Sequence, residues 1–213
     1  MEIITVKKGK WKHFLVSELD EQQLQELVVL VKPLYTWFSP KRATDENIRA
    51  RLTHQPTSCV DIIITDDRVI GWCMYYTIVI NGAKVLYHDG VVVDESYRSQ
   101  GVYHSLTNLS LDREGSRYLS ARTQNPRLYE TIQKHARNNM IYPKTDGTAP
   151  PPDVQKIAQE IEPGVDPATL IVRDVYEGDR FQAEYHTSRD PKIKEFFLQK
   201  LQPPDAFLLV VLV

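Results

Sequence analysis

The sequence has few cysteines and none of the patterns with which proteins usually bind a metal ion. Two cysteines, Cys59 and Cys73, occur in 213 residues, and they do not form a CxxC pair. The six histidines are scattered, so there is no HExxH motif and no His/Cys cluster with zinc-like spacing. Both cysteines fall on predicted neighbouring strands and could lie near each other, but reduced core thiols in a cytoplasmic protein are the better interpretation. We therefore expect a cytoplasmic location and no metal.

Long apolar runs and a strong net charge are also missing. The longest apolar run, Ala206–Val213, is far shorter than the roughly 20 residues that span a bilayer, and no apolar segment follows a basic N-terminal start. The formal net charge of −2 provides no attraction toward a phosphate backbone. Neither a membrane nor a nucleic acid is therefore an expected partner.

The remaining composition is that of an ordinary globular protein. Hydrophobic residues make up 42% and charged residues 25% of the chain. A length of 213 residues suits a single domain over residues 1–213, with a full core and room for insertions.

The first two thirds of the chain show helical and strand patterns in a clear order. Two short runs, Ile3–Val6 and His13–Val16, are both candidates for the first strand, and a helix opens at Ser17 and is weakened or ended by Pro33. The further predicted elements are a helix Asp45–Leu52, an antiparallel meander of strands Val60–Thr65, Val69–Val79 and Val85–Val93, a helix Gly101–Arg113, a strand Tyr118–Thr123 and a helix Arg127–Arg137.

The last third is interrupted by prolines. Residues 143–167 form a proline-rich excursion that we expect to contain a short helix, Asp153–Ile161, capped by Asp153. Segments 169–176 and 206–213 are predicted to be closing strands, with a helix, Pro191–Leu201, inserted between them and capped by Asp190. The insertion either shapes a binding site, makes a dimer contact or only decorates the fold.

The stretch Val91–Leu106 is the most informative part of the chain. It predicts an apolar strand that runs through a tight turn into a helix N-terminus, where main-chain N–H groups and the helix dipole favour an anion such as phosphate. Arg98 adds a fixed positive charge, and Gly101 permits a close approach or unusual torsions. The sequence therefore predicts a phosphate cradle at this turn.

The turn resembles the pyrophosphate loop of the GNAT superfamily of N-acyltransferases. Arg98-Ser99-Gln100-Gly101-Val102-Tyr103 is similar to the Arg/Gln-x-x-Gly-x-Gly/Ala motif, with the departure that Tyr103 stands where a small residue is usual. The order of elements over about residues 17–142 resembles the GNAT core. The resemblance implies an α/β (α+β) fold with a mixed, mostly antiparallel sheet flanked by helices, with C-terminal insertions.

This resemblance implies that the chain uses acetyl-CoA as co-substrate. Main-chain groups around Val91 and Val93 would pair with pantetheine, and the loop would hold the pyrophosphate. The side chain of Asn125 either binds the cofactor or caps the helix that Pro126 begins. The implied cofactor-binding residues are Val91, Val93, Arg98, Ser99, Gln100, Gly101, Val102, Tyr103 and Asn125.

Catalytic residues are implied less directly. Asp89 is the candidate general base because a carboxylate often occupies this part of the strand in GNAT proteins, and the adjacent His88 is the alternative. The general acid in the family is often the tyrosine of Asn-x-x-Ala-x-x-x-Tyr, but Leu128 and Ile132 stand at the Ala and Tyr places here. Tyr129 is the displaced candidate, with Tyr103 and Tyr142 in reserve.

These expectations combine into one predicted activity and one rival. The chain is expected to transfer an acetyl group from acetyl-CoA to an amine, of a small molecule or a peptide, by direct attack in a ternary complex. The rival is a non-catalytic acyl-CoA-binding module with a regulatory or interaction role. The oligomeric state is open, with a homodimer as one possibility.

Overall fold

The structure is a computed structural model that describes residues 2–6, 9–38, 43–176 and 188–213. Within these residues the strands are β1 Glu2–Val6, β2 Gly9–Leu15, β3 Cys59–Thr65, β4 Arg68–Ile80, β5 Ala83–Val93, β6 Tyr118–Thr123, β7 Ile141–Tyr142, β8 Ile171–Val172 and β9 Ala206–Leu212. The helices are α1 Glu21–Phe38, α2 Asp45–Leu52, α3 Val102–Glu114, α4 Pro126–Ile132, α5 Pro152–Ile161 and α6 Pro191–Lys200. Helices and mostly antiparallel strands together give the α/β fold that the sequence predicts.

The described chain forms two compact units. The first comprises Met1–Thr77 with Leu86–Gly115, and the second comprises Ile78–Val85 with Ser116–Val213. Strands β4 and β5 contribute to both units.

The first unit is built on strands in the order β1-β2-β3-β4-β5. The β1–β2, β2–β3 and β3–β4 pairs are antiparallel. Apolar residues of α1 and α2 pack with Val60, Ile62, Trp72 and Met74 into one buried cluster. Because side chains alternate along a strand, the other face is left to α3. Its residue Val102 lies against Gly71 there.

A buried carboxylate fixes α3 to this second face. Asp61 of β3 has no exposed surface. One of its oxygens accepts from Ser110 Oγ of α3 at 2.7 Å, and the other lies 2.8 Å from His13 Nδ1 of β2. A buried carboxylate is tolerated when its oxygens are hydrogen-bonded, so this network holds the helix in one position on the strands.

The second unit is built around β9. This strand pairs antiparallel with β6, with β7 and with β8. Helices α4 and α6 meet through Tyr129 and Phe197, whose ring centroids are 5.8 Å apart. Phe197 and Phe196 also pack on Phe207 of β9, so the helical insertion belongs to the core of this unit.

Several predicted elements need correction. Helix α1 begins after Asp20, which forms a reciprocal cap with Gln23, and not at Ser17. It also continues through Pro33, because Leu34 and Tyr35 extend its buried face beyond the proline. Tyr35 stacks on Trp72 inside the core.

The C-terminal elements are shorter than expected. Helix α4 ends at Ile132 and is followed by two turns of 3-10 helix, where a helix to Arg137 is predicted. The predicted strand over residues 169–176 is restricted to β8, because Leu170 and Asp174 on either side adopt left-handed torsions. Pro151, and not Asp153, is the N-cap of α5, whereas Asp190 caps α6 as predicted. Residues 177–187 of the insertion lie outside the described residues.

Candidate functional site

The predicted phosphate loop follows β5 and starts at a rigid corner. The side chain of Asp94 accepts a hydrogen bond from Ser96 N at 3.0 Å and caps a short 3-10 turn, Glu95–Tyr97. Its other oxygen lies 3.3 Å from Arg68 Nη2 of β4, and its N–H donates to Ile70 O at 2.9 Å. The corner therefore fixes the direction in which the loop leaves the strand.

Gly101 connects the loop to α3. It is the N-cap of the helix and adopts left-handed torsions, with φ 85° and ψ 5°. A Cβ added at Gly101 would meet no atom within 4 Å, so the space in front of this backbone is open. Hydrogen bonding inside the helix begins with Ser105 N–H, which donates to Gly101 O. The N–H groups of the first turn of a helix point out of its end, which gives the geometry of an anion site.

The other loop residues surround this helix end. Ser99 also adopts a positive φ, 60°. Arg98 Nε donates to Val93 O at 3.4 Å, and Gln100 Nε2 donates to Ser96 O at 2.7 Å. The hydrogen bond to Val93 O holds the Arg98 side chain beside the end of β5, where its charge adds to the helix dipole.

Tyr103, the departure from the GNAT motif, is directed toward β5. Its hydroxyl lies 3.3 Å from His88 Nδ1, and the two rings meet edge to face with centroids 5.9 Å apart. Burial raises the pKa of Tyr103, so the phenol is neutral. A bulky residue therefore fits here because it packs against the strand and leaves the space before Gly101 open.

Asp89 lies among side chains from α2 and the segment that follows it. Arg51 Nη2 donates to the main-chain carbonyl of Asp89 at 2.6 Å and lies 3.3 Å from its Oδ1. His54 Nε2 lies 3.6 Å from Asp89 Oδ2. Only 14% of the Asp89 side chain is exposed, against 37% of His54, so the pair opens to solvent on the histidine side.

The backbone of β5 is irregular at this place. His88 faces Tyr103 of α3, whereas a Cβ on Gly90 would lie 3.4 Å from Trp72 on the opposite face. Residues two apart share a face in a regular strand. The alternation of side chains between the two faces is therefore interrupted between His88 and Gly90, as at a β-bulge. Arg51 satisfies the carbonyl of Asp89 within this interruption. Beyond it, Val91 and Val93 are half-buried and Val92 is buried in the core.

The remaining candidates lie in the second unit. Asn125 Oδ1 accepts from Arg127 N at 2.9 Å, which is the N-cap contact of α4. Tyr129 is 1% exposed, and its hydroxyl donates to Pro143 O at 2.9 Å. Burial raises its pKa. Ile132, at the family's tyrosine place, has no exposed surface.

Three residues near Asp89 and the loop carry no strong sequence signal. Arg51 and His54 sit at the end of a short helix, where a basic residue usually serves only the helix dipole. Gly71 lies within a strand, and the close approach of Val102 to it becomes visible only in three dimensions. Glycine inside a strand pattern is the one available hint of such an approach.

Within the described residues, no helix combines the length and the hydropathy that a membrane span requires. Over the same residues, no group of three or more His, Cys, Asp or Glu side chains is arranged to hold a metal ion.

Solved structures similar to this chain include several acetyltransferases. A ribosomal-protein-alanine N-acetyltransferase from Brucella melitensis biovar Abortus 2308 is 14% identical, with 48% of this chain and 70% of that chain covered and a TM-score of 0.39. An aminoglycoside acetyltransferase from an uncultured soil metagenomic sample, in complex with sisomicin, is 16% identical over 59% of this chain and 84% of that chain, with a TM-score of 0.43. The NatC complex bound to Gag peptide and CoA contains a chain that is 14% identical over 100% of this chain and 99% of that chain, with a TM-score of 0.45.

A comparison with curated proteins finds no match. The sequence model of the Acetyltransferase (GNAT) family, in contrast, matches residues 24–136, which is just over half of the chain. The match includes β5, the loop and α3, together with α4. The chain belongs to the GNAT acetyltransferase family.

Proposed function

We propose that this protein is an acetyl-CoA-dependent N-acetyltransferase that transfers the acetyl group to an amine by direct attack in a ternary complex. The observation that carries the proposal is the family match over residues 24–136, within which the loop and the helix N-terminus have the open geometry described above. The acceptor is an amine of a small molecule or a peptide. A single GNAT-like domain over residues 1–213 and a cytoplasmic location are part of the same proposal.

The loop residues are assigned to the binding of coenzyme A. Arg98 and the main chain from Ser99 to Tyr103 would bind the pyrophosphate, and the absence of a side chain at Gly101 leaves room for it. The main chain at Val91 and Val93 would pair with the pantetheine amides. Asn125 would contribute its amide group in addition to the N-cap contact that it makes.

The transfer requires a proton acceptor for the amine and a proton donor for the thiolate. A free alkyl amine has a pKa of ~10.4, so a base must remove a proton before the nitrogen attacks the thioester carbonyl. Asp89, the candidate general base of the sequence analysis, is assigned to this proton transfer. The C–N bond forms as the C–S bond breaks, and the thiolate takes up a proton from a donor, which the second proton lost by the amine nitrogen then replaces. Tyr129 is the proposed donor, and it would have to leave its bond to Pro143 O to act.

Ligand binding is tested first. Thermal unfolding would be followed with acetyl-CoA, coenzyme A and ATP, because a ligand at 100 times its Kd adds about 2.7 kcal/mol to the free energy of unfolding. Stabilisation by both coenzymes and not by ATP is the expected result. Stabilisation by neither would remove the proposal.

Turnover separates an enzyme from a binding module. Thiol release from acetyl-CoA would be measured with spermidine, glycine, kanamycin and a trialanine peptide. The rival, a non-catalytic acyl-CoA-binding module, is favoured by the buried Ile132 at the family's tyrosine place. Tight coenzyme binding without thiol release by any amine would support the module.

A further inference from the structure

His54 lies in an environment that defines which of its two ring nitrogens carries the proton when the imidazole is neutral. Its Nδ1 is 2.8 Å from the main-chain carbonyl of Arg51, and its Nε2 is 3.6 Å from Asp89 Oδ2. A carbonyl oxygen only accepts hydrogen bonds, so the Nδ1 atom carries the proton and donates it. In a neutral imidazole the Nε2 atom then keeps its lone pair and can accept a proton.

Asp89 is placed to stabilise the histidine after protonation. Once Nε2 has accepted a proton, the resulting imidazolium faces the carboxylate of Asp89. Arg51 holds that carboxylate through Oδ1 and through the main-chain carbonyl of the same residue. This leaves Oδ2 for the histidine. At 3.6 Å, Oδ2 lies beyond hydrogen-bond distance of Nε2, so the carboxylate supports the charge of the imidazolium without occupying the lone pair that takes up the proton.

Exposure also favours the histidine as the group that meets a substrate. The His54 side chain is 37% exposed, whereas Asp89 is 14% exposed and already paired with a guanidinium. An incoming ammonium group would have to compete with Arg51 for the carboxylate.

The groups that face His54 come from three elements. Asp89 belongs to β5, and Arg51 belongs to α2. Tyr76 of β4 meets the His54 ring edge to face, with centroids 6.1 Å apart, and Tyr87 of β5 packs on Tyr76 at 5.1 Å. The Tyr76 ring, held by Tyr87, restricts the rotation of the imidazole and provides apolar surface beside it.

We propose that His54 Nε2 is the first acceptor of the amine proton and that Asp89 is its counter-ion. This inference rests on the proposed acetyltransfer and adds a catalytic residue to it. In the step, the substrate ammonium gives one proton to Nε2, and the neutral nitrogen attacks the thioester carbonyl. His54 later releases its proton to solvent, so no further reactant is needed.

The tautomer is tested without turnover. Nitrogen NMR of protein labelled with ¹⁵N-histidine would be recorded in the absence of substrate, with His54→Asn to identify the signal. A proton on Nδ1 in the neutral ring is the expected state. A neutral ring with its proton on Nε2 would overturn the inference whether or not the protein is active.

Turnover measurements then test whether His54 is the proton acceptor. Thiol release from acetyl-CoA with the four amines named above would be measured for wild type, His54→Asn, His54→Ala and the control His135→Asn. Asparagine can still donate to the Arg51 carbonyl, so His54→Asn removes the base while keeping the structural contact. We expect a loss of kcat of at least about 100-fold, the usual contribution of a general base, with unchanged coenzyme A affinity.

Chemical rescue distinguishes a proton acceptor from a structural residue. Added imidazole should restore part of the rate of His54→Ala and have no effect on His135→Asn. The rate of wild type should decline more steeply on acidification than that of His54→Asn. An unchanged rate in His54→Asn, or the lack of rescue, would overturn the role of His54 as proton acceptor. Turnover by wild type would in that case still support the proposed function. No turnover by wild type with any amine would instead remove the proposed enzyme activity.

Discussion

The glycines at the two ends of α3 both have left-handed torsions, but only one of them lies where a bound anion is proposed. Gly101 begins the helix with φ 85°, and Gly115 ends it with φ 59°. At both positions an added Cβ would meet no protein atom within 4 Å. The intrinsic cost of a side chain is therefore similar at the two ends, whereas only the N-terminal end offers N–H groups to an anion. A comparison of alanine variants at the two glycines therefore separates the loss of ligand contact from the cost of backbone strain.

We expect Gly101→Ala and Gly115→Ala to destabilise the fold alike and to differ in ligand binding. Each alanine is held in left-handed torsions, which costs roughly 1–2 kcal/mol. Gly101→Ala should also raise the Kd for coenzyme A at least tenfold, because the methyl group occupies the space assigned to the pyrophosphate. Calorimetric titration and thermal unfolding of both variants measure these effects. Equal coenzyme affinity in the two variants would contradict the assigned cradle.

Tyr129 allows a second comparison at the level of a single atom. Its hydroxyl donates to Pro143 O, and a hydrogen bond of this kind contributes about 1 kcal/mol. Tyr129→Phe should lower stability by about that amount and lower kcat at least tenfold if the phenol protonates the thiolate. Tyr118→Phe, which removes a hydroxyl bonded to Asp153, is the matched control for stability. Stability loss with an unchanged kcat would leave Tyr129 a purely structural role.

Among the elements, the N-terminal end of α3 is positioned by its close approach to Gly71 of β4. A Cβ on Gly71 would lie 2.7 Å from Val102 Cγ1 and 3.4 Å from Leu106 Cδ1. Valine has a stiff side chain, so the start of the helix would have to move away. The same residue, Val102, is the first residue of α3 and directly follows the loop. Packing at Gly71 therefore determines where the loop presents its N–H groups.

Gly71→Ala should weaken stability and coenzyme binding together. Overpacking of this kind costs typically 1–3 kcal/mol, and the displaced helix start should raise the Kd for coenzyme A. Val102→Ala removes the clashing methyl groups, so the double variant should be less destabilised than the sum of the two single variants. Denaturant unfolding and calorimetric titration of the four proteins measure this. Strict additivity in stability and affinity would contradict the described contact.

The elements also show what the sequence could predict. Periodicity and turn residues located α2 and β6 at their observed bounds, because each carries its own boundary signals in neighbouring residues. Pro33 was misleading, since burial of Leu34 and Tyr35 outweighs one lost hydrogen bond. The loop resembles a known motif and was recognised. The approach of Arg51 and His54 to Asp89 was not, because Arg51 and His54 precede Asp89 by 38 and 35 positions and reach it through tertiary packing alone.

On the scale of the whole molecule, the two cysteines link folding to proton binding. Both are free thiols in the core, with Cys59 7% exposed and Cys73 fully buried. Burial raises the pKa of Cys59 to about 12, with a smaller effect of neighbouring carboxylates, and burial also raises the pKa of Cys73. An unfolded thiol titrates near 8.5. The unfolded chain therefore loses protons over a pH range in which the folded protein keeps them.

This difference predicts the direction of alkaline instability. Below about pH 8.5 both states hold the thiol protons, so the cysteines add no pH dependence. Above it the unfolded state binds fewer protons, so the free energy of unfolding decreases as pH rises toward the folded pKa values, by up to about 1.4 kcal/mol per pH unit for each thiol. Denaturant unfolding at intervals from pH 7 to pH 11 should show a decline that is shallower in the Cys59→Ala/Cys73→Ala variant. The lost thiol packing lowers the stability of that variant at every pH, and Tyr75, whose pKa burial also raises, is present in both proteins. The comparison therefore uses the slope of the free energy of unfolding against pH. Equal slopes in the two proteins would mean that the thiols titrate in the folded protein as they do in water.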